Sequence, residues 1–278
     1  MRKFAAALLL FAASAFAQQP KTTVLKAARM FDGKSNSLTT PGLVVITDNK
    51  ITAVGAGASV PAGAQVIDLG DATLLPGFID AHTHLTMMHS DDWKGRELDT
   101  LQKTIPEQTL DATANAKVTL MAGFTTVRDV GSAHYMDVGL RNAIRKNIVP
   151  GPRMLVSGPA LSITGGHRDE NYLAPQFAVS KDGVADGVDA VMKQVRENIK
   201  YGADVIKLMA TGGVVSEGDN PAFAQYSPEE MKAVVKTAHG LGRRVAAYAH
   251  ATVGSSLPYS RVLILLSTEA TSMMKAFG

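Results

Sequence analysis

Residues 76–85 read PGFIDAHTHL, in which a short apolar run containing one aspartate ends in two histidines separated by a threonine. Such a run is typical of a buried β-strand, and residues i and i+2 of a strand point to the same side. We therefore expect the imidazoles of His82 and His84 to project together, as a divalent metal requires of its first two ligands. Two ligands do not complete a metal site, so other parts of the chain have to supply the rest.

The chain after Pro76 alternates strand-like and helical segments. Strands are predicted in FTTVRDVG (124–131), RMLVSG (153–158), ADVIKLMATGG (203–213) and RRVAAYAH (243–250). Helices are predicted over 109–121, 136–148 and 188–199, and after the N-cap residue Ser227. With the first strand this makes five consecutive β/α units, which implies a parallel sheet in either a closed (β/α)8 barrel or an open doubly wound fold. No Gly-x-Gly-x-x-Gly follows the first strand, which disfavours dinucleotide binding.

Two other segments flank this alternation. Residues 22–75 carry short β-rich runs with a hairpin connection at Asp48-Asn49-Lys50, and we predict a small β-sheet module there. Residues 1–17 place Arg2 and Lys3 before FAAALLLFAA and end in Ala-Phe-Ala. That order is typical of a signal peptide cleaved after Ala17, so a secreted or periplasmic protein is expected. The alternative is a buried N-terminal helix.

The composition excludes several classes of function. The 278 residues carry a formal net charge of +3 with scattered basic side chains, so no nucleic-acid surface is indicated. No apolar run is long enough to span a bilayer after removal of the signal segment. There is no cysteine, which leaves His, Asp, Glu and Lys as candidate metal ligands. The sequence leaves the oligomeric state open.

Lys207 lies in an otherwise apolar predicted strand, where an ammonium group could not be solvated. One interpretation is an edge strand from which the lysine reaches water. The other is that its amine is modified, or has a lowered pKa, to serve a site. The His-x-His pair has a similar alternative, since such histidines also occur as hydrogen-bonded polar groups without a metal.

Three segments, GFIDAHTHL, DVIKLMATGGV and GGVVSEGDNPAFAQYSPEEM, occur in an order that resembles the amidohydrolase superfamily. The resemblance is to its imidazolonepropionase-like and Xaa-Pro dipeptidase-like branch and extends from about Thr22 to His250. It implies a (β/α)8 barrel with an N-terminal β-sheet module and two divalent metals, usually zinc. Carried over to this chain, His82 and His84 are metal ligands and carboxylated Lys207 bridges the two metal ions.

The resemblance also indicates further residues near the substrate. Gly165-Gly166-His167 is similar to a loop that faces the substrate, whereas the residue type and position of His167 by themselves favour an ordinary loop histidine with no special role. At the fifth strand the family pattern His-Ala-His-Gly is replaced by Tyr248-Ala249-His250-Ala251. Tyr248 and His250 share a face, so we take His250 as the metal ligand there and Tyr248 as a substrate-binding residue.

The tail, residues 251–278, departs from the resemblance. No histidine follows His250 and there is no counterpart of the strand-eight aspartate, so no catalytic proton shuttle is assigned. A shifted reading frame of the tail permits a segment similar to strand six, and our hypothesis is a one-base frame change after about His250. An unrelated tail is the alternative. In either case the barrel is expected to be incomplete at its C-terminal end, poorly stable and weakly active or inactive.

Together these observations predict a metal-dependent amidohydrolase that cleaves an amide or peptide bond, plausibly a dipeptide such as Xaa-Pro, with a metal-activated water. One alternative is an inactive fragment or pseudogene product of such an enzyme. Another is a cyclic-amide hydrolase, which the export signal disfavours.

Overall fold

The computed structural model describes residues 21–55, 57–87, 92–177, 181–213 and 219–249. The predicted signal peptide, the predicted ligand His250 and the tail at 251–278 lie outside these residues. The chain divides into two compact units between Pro76 and Gly77. No helix in the described ranges has the length and apolar character needed to cross a membrane.

The N-terminal unit consists of short strands. Its elements are β1 (Thr22–Ala27), β2 (Arg29–Met30), β3 (Gly42–Thr47), β4 (Lys50–Val54), β5 (Gln65–Asp68) and β6 (Thr73–Leu74). One sheet has the order β4-β3-β1-β5, and β2 pairs with β6 in a second. The predicted hairpin joins β3 to β4 through Asp48 and Asn49, and Asp48 adopts the left-handed conformation at φ 56° that such tight turns require.

The second unit alternates strands and helices. Its elements are β7 (Phe78–Thr83), α1 (Trp93–Gln102), α2 (Ile105–Met121), β8 (Phe124–Asp129), α3 (Met136–Arg145), β9 (Arg153–Val156), α4 (Val188–Lys200), β10 (Val205–Met209), α5 (Pro228–Gly240) and β11 (Arg244–Tyr248), with short 3-10 helices at Ala133–Tyr135 and Pro175–Phe177. The five predicted strands are therefore confirmed. Helix α1 was not predicted, and α3 ends before Ile148 because Asn147 turns into the left-handed region at φ 56°.

The five strands run parallel in chain order. β7, β8 and β9 form one ladder, and β10 pairs with β11 in another. Leu161, just after β9, joins the two ladders, because its N–H donates to the Lys207 carbonyl at 2.8 Å and its carbonyl accepts from Met209 at 2.9 Å. The carboxyl ends of all five strands thus lie on one side. The described residues show this parallel arc and not a closed barrel.

The helices cover the strands through two apolar clusters. One packs α4 and α5 on β10 and β11, with Val191, Val195, Ile206 and Val234 fully buried. The other packs α2 and α3 on β8 and β9. Burial of each such side chain contributes roughly 1.5–3 kcal/mol. Helices α2 and α5 both begin with a capping box and a proline in the first turn, and at α5 this is the predicted Ser227–Glu230 pair.

Candidate metal centre

The two histidines of PGFIDAHTHL lie side by side at the carboxyl end of β7. Their ring centroids are 5.3 Å apart in an edge-to-face arrangement. The side chain of Asp80 accepts a hydrogen bond from the His82 backbone N–H at 2.9 Å, which holds the strand end in place. The structure thus brings the imidazoles together as their spacing predicts.

One ring nitrogen of His84 is already engaged. Nδ1 lies 3.1 Å from the carbonyl oxygen of Gly131, to which it donates when it carries the proton. Nε2 then keeps its lone pair, and a carbonyl partner of this kind commonly orients a metal-binding histidine. Burial is the main cause that lowers the pKa of His84 to about 4. Its imidazole is therefore neutral at pH 7, as a metal ligand must be.

The His82 imidazole is also neutral at pH 7, although this residue is exposed. Desolvation and the charges of Lys207 and Arg128 lower its pKa to about 4, and Asp80 opposes them. Arg128 of β8 contacts the end of β7 directly, since its Nε donates to the Ala81 carbonyl at 2.8 Å.

Lys207 is 1% exposed in the middle of β10, between Leu161 and β11. This excludes the interpretation in which the lysine reaches water from an edge strand. Burial, followed by the charges of Arg128 and Arg168, lowers its pKa to about 8. Within the described residues no hydrogen bond or ion pair reaches Nζ, which lies 5.3 Å from the centre of the Tyr248 ring. A buried amine of this kind is available for modification.

These residues fit a divalent metal in part. The two neutral imidazoles supply nitrogen donors, and a carboxylated Lys207 would supply oxygen donors in a buried position. Across the described ranges there is no cluster of three or more His, Asp or Glu side chains that could hold a metal ion. The remaining predicted ligand, His250, lies outside those ranges, so the ligand set stays a prediction.

His167 and Tyr248, predicted to contact substrate, meet beside Lys207. Their rings stack with centroids 5.0 Å apart and an interplanar angle of 15°. His167 Nδ1 is 3.8 Å from an Asp219 oxygen that also accepts the Gly213 N–H at 2.6 Å. A side chain at position 213 would overlap the His167 ring, so glycine is required there. The sequence indicated His167 and Tyr248 as two independent candidates and gave no indication that Asp219 lies beside them.

Asp129 lies at the end of β8, and its position in the sequence alone does not define its role. Its Oδ2 accepts the Leu85 N–H at 2.6 Å and the Thr83 hydroxyl at 3.2 Å, so it holds the segment on both sides of His84. Oδ1 is buried and has no hydrogen-bond partner among the described residues. Desolvation, and next the nearby Asp137 charge, raise the pKa of Asp129 to about 8. The carboxyl is therefore largely protonated at pH 7.

Replacement of Asp129 by asparagine tests this protonation state. The raised pKa means that the folded wild-type protein loses stability as pH rises from 4 towards 8, because only the unfolded chain is ionised in that range. The introduced amide keeps an acceptor for the Leu85 N–H and does not ionise. We expect the stability gained by Asp129→Asn to be larger at pH 8 than at pH 5 by about 3 kcal/mol, measured by urea unfolding of the metal-free chain. An equal gain at both pH values would contradict the assignment.

A family model and several known proteins match this chain. A model described as the amidohydrolase family matches residues 73–256. Ochratoxinase from Aspergillus niger is 32% identical over 262 residues, which cover 85% of this chain and 52% of that protein.

Two solved structures resemble the structure described above. A Xaa-Pro dipeptidase with methionine bound in its active site has a TM-score of 0.76 and 33% identity, covering 86% of this chain and 59% of its own. A prolidase complexed with N-methylphosphonate-L-proline has a TM-score of 0.74 and 31% identity, covering 87% and 59%. The chain thus spans little more than half the length of these relatives.

Proposed function

This chain belongs to the amidohydrolase family, and from that premise we propose that it is a divalent-metal-dependent hydrolase of an amide bond. One observation carries the proposal: two neutral imidazoles, on His82 and His84, lie together at the end of β7, and the charge of the buried lysine on β10 reaches both. A lysine is costly to bury in this way without a partner for its amine. The carboxyl ends of parallel strands, where the two imidazoles lie, are where active sites of such folds form. Closure of the strands into a (β/α)8 barrel is part of this proposal.

Lys207 is proposed to act as its carbamate. The lowered pKa leaves a usable fraction of neutral amine near pH 8. That amine adds to carbon dioxide, so an N–C bond forms, one proton is released, and the product carries a single negative charge shared by two oxygen donors. The carbamate also replaces a buried positive charge near Arg128 by a negative one, which lowers the electrostatic cost of the site. Zinc is the metal we expect, because imidazole and carboxylate-type donors suit it.

When bound, the metal ions supply Lewis acidity towards a carbonyl oxygen and lower the pKa of water. The protein residues have other tasks. His84 is oriented by the Gly131 carbonyl, and Asp129 holds the adjoining backbone through Leu85. The stacked rings of His167 and Tyr248 form a flat wall beside Lys207, and we propose that the substrate lies against it.

The substrate class we propose is a dipeptide with a C-terminal proline or another N-acyl amino acid. It is supported by the solved relatives, one a Xaa-Pro dipeptidase and one a prolidase complexed with a phosphonate of proline.

The test is metal content and turnover of the full 278-residue chain after incubation with zinc and bicarbonate. We expect about two zinc ions per chain and hydrolysis of Ala-Pro that is weak, because no proton-shuttle residue is assigned, and that a chelator abolishes. His84→Ala should lose zinc and activity together, since it removes a first ligand. His239→Ala, at the exposed end of α5, is the matched control and should change neither. Folded protein that binds no zinc would refute the proposal.

A further inference from the structure

A cavity opens at the amino end of β9, whereas the candidate metal centre lies at the carboxyl ends of the strands. Its volume is about 370 Å³, within the range of sites that take small molecules. The last turn of α3 and the turn after it form one wall, and the segment that leads into β9 forms the other. The proposed hydrolysis uses none of the residues that line this cavity.

Positive charge lines the cavity without a matching carboxylate. Arg141, Arg145 and Arg153 contribute guanidinium groups, and none of the described residues around the cavity is acidic. The charge of Arg141 is neutralised by Asp204, whose Oδ2 lies 2.6 Å from Nη1. In the part of the chain that the structure describes, no hydrogen bond or ion pair reaches the guanidinium of Arg145 or Arg153. Two positive charges therefore lie at one small cavity without a partner among these residues, and such a site favours an anionic ligand.

The backbone around the cavity is held in place by local structure. Asn147 adopts the left-handed conformation at φ 56°, and the N–H groups of Asn147 and Ile148 donate to carbonyls in the last turn of α3. These bonds occupy carbonyl oxygens that would otherwise repel an anion at the end of the helix. On the other wall Pro152 restricts the backbone, and a side chain at Gly151 would overlap Ile144. Both walls are thus fixed before a ligand binds, which limits the entropy lost on binding.

An apolar surface adjoins the guanidinium groups. Ile144, Pro152 and Met154 line the same cavity, and the last two are buried. An inorganic anion would use only the polar groups of this cavity. An organic ester could also place its carbon atoms against the apolar side chains, and removal of those atoms from water favours binding.

We propose that this cavity binds a small organic phosphate monoester. The phosphate group of a monoester carries a charge of about −1.5 to −2 at pH 7, which matches two guanidinium groups. Arginine presents parallel N–H donors that bind phosphate oxygens in pairs. Arg145 and Arg153 bind the phosphate, and Asn147 offers an amide donor beside them. The organic part of the ligand lies against Ile144 and Met154.

Calorimetric titration of the purified, metal-free full chain tests this site, because phosphate cannot then bind through zinc. The probes are phenyl phosphate and inorganic phosphate, which share the anionic group and differ in the apolar ring. We expect one site per chain for each, with phenyl phosphate bound about tenfold more tightly than inorganic phosphate. Equal affinity for the two probes would overturn the assignment to a monoester.

Substitution of the two arginines tests the location of the site. Arg145→Gln and Arg153→Gln should each weaken the binding of phenyl phosphate about tenfold, as expected for loss of a charged hydrogen-bonding partner. Both residues are exposed and have no ion pair among the described residues, so without phosphate each variant should unfold at the same urea concentration as the wild type. Arg145→Gln, at the end of a helix, provides the test if Arg153→Gln does not fold.

Arg196→Gln is the matched control, since Arg196 is exposed on α4, does not line the cavity and carries the same charge. This variant should bind phenyl phosphate with the affinity of the wild type. No binding to the wild-type chain, or binding that both cavity variants retain, would overturn the proposal. An equal loss in Arg196→Gln would also overturn it, because the loss would then reflect net charge and not this cavity.

Discussion

Lys207→Met is expected to abolish zinc binding and, at the same time, to make the metal-free chain more stable. The first effect follows from the proposed carbamate, because methionine has no amine to carboxylate and the site would lose the oxygen ligand proposed for its metal ions. Zinc retained after dialysis should fall from about two ions per chain to less than one, measured by mass spectrometry of the metal. Hydrolysis of Ala-Pro should fall with it.

The gain in stability follows from the burial of Lys207. Its pKa is about 8 in the folded protein against 10.5 for an ordinary lysine. Below pH 8 the amine is protonated in both states, and the folded state bears a cost of about 3 kcal/mol for holding the charge. Between pH 8 and 10.5 the amine is neutral in the folded protein and loses its proton progressively in the unfolded chain. The free energy of unfolding of the wild type therefore rises with pH in this range. Methionine has a similar shape and no charge, so this rise should disappear.

Urea unfolding of the metal-free proteins at pH 7 and pH 10 measures the effect. We expect Lys207→Met to exceed the wild type by about 3 kcal/mol at pH 7 and by much less at pH 10. Lys193→Met, on the exposed face of α4, is the control and should change neither stability nor zinc content. Zinc binding that persists in Lys207→Met would show that the lysine is not a ligand.

Arg141→Met should cost about 3 kcal/mol of unfolding free energy, since it breaks a largely buried ion pair and leaves one charge behind. Nη1 of Arg141 lies 2.6 Å from Asp204 Oδ2 and donates to the Gly202 carbonyl at 2.7 Å. The two side chains are 7% and 24% exposed. The same Asp204 oxygen accepts the Val156 N–H at 3.2 Å, so the pair links α3, β9 and the start of β10.

The Arg141–Asp204 ion pair lies between the two strand ladders, so its loss should also affect zinc binding. The β7-β8-β9 ladder and the β10-β11 ladder meet where β9 and β10 are joined by few backbone hydrogen bonds, and the ion pair lies at that junction. Loosening it should shift Lys207 relative to His84 and weaken zinc binding. Adding Asp204→Asn should recover part of the lost stability, because the uncompensated carboxylate is removed. Arg145→Met is the matched control. Additive losses in the double variant would indicate that the pair is not coupled.

The local pattern of the sequence was sufficient to predict several strands, one helix start and the placement of the two histidines. Alternation of apolar runs predicted the five parallel strands, and Ser227-Pro228-Glu229-Glu230 predicted the start of α5. The side-by-side placement of His82 and His84 followed from strand geometry. The apolar neighbours of Lys207 indicated a buried position, and the structure excludes the edge-strand alternative. Helix α1 escaped prediction because its mean hydropathy is low and its first turn carries no acidic residue.

The sequence by itself determined which residue types stand at the strand ends, because strand and helix periods act over a few neighbouring residues. The tertiary structure alone decided which of them meet. Asp129 contacts the segment around His84 from 44 residues away in sequence, and Asp219 reaches His167 only because two loops fold over adjacent strands. The neutral state of Asp129 has the same origin. Burial and charge depend on every element packed around a group, and no local pattern encodes that environment.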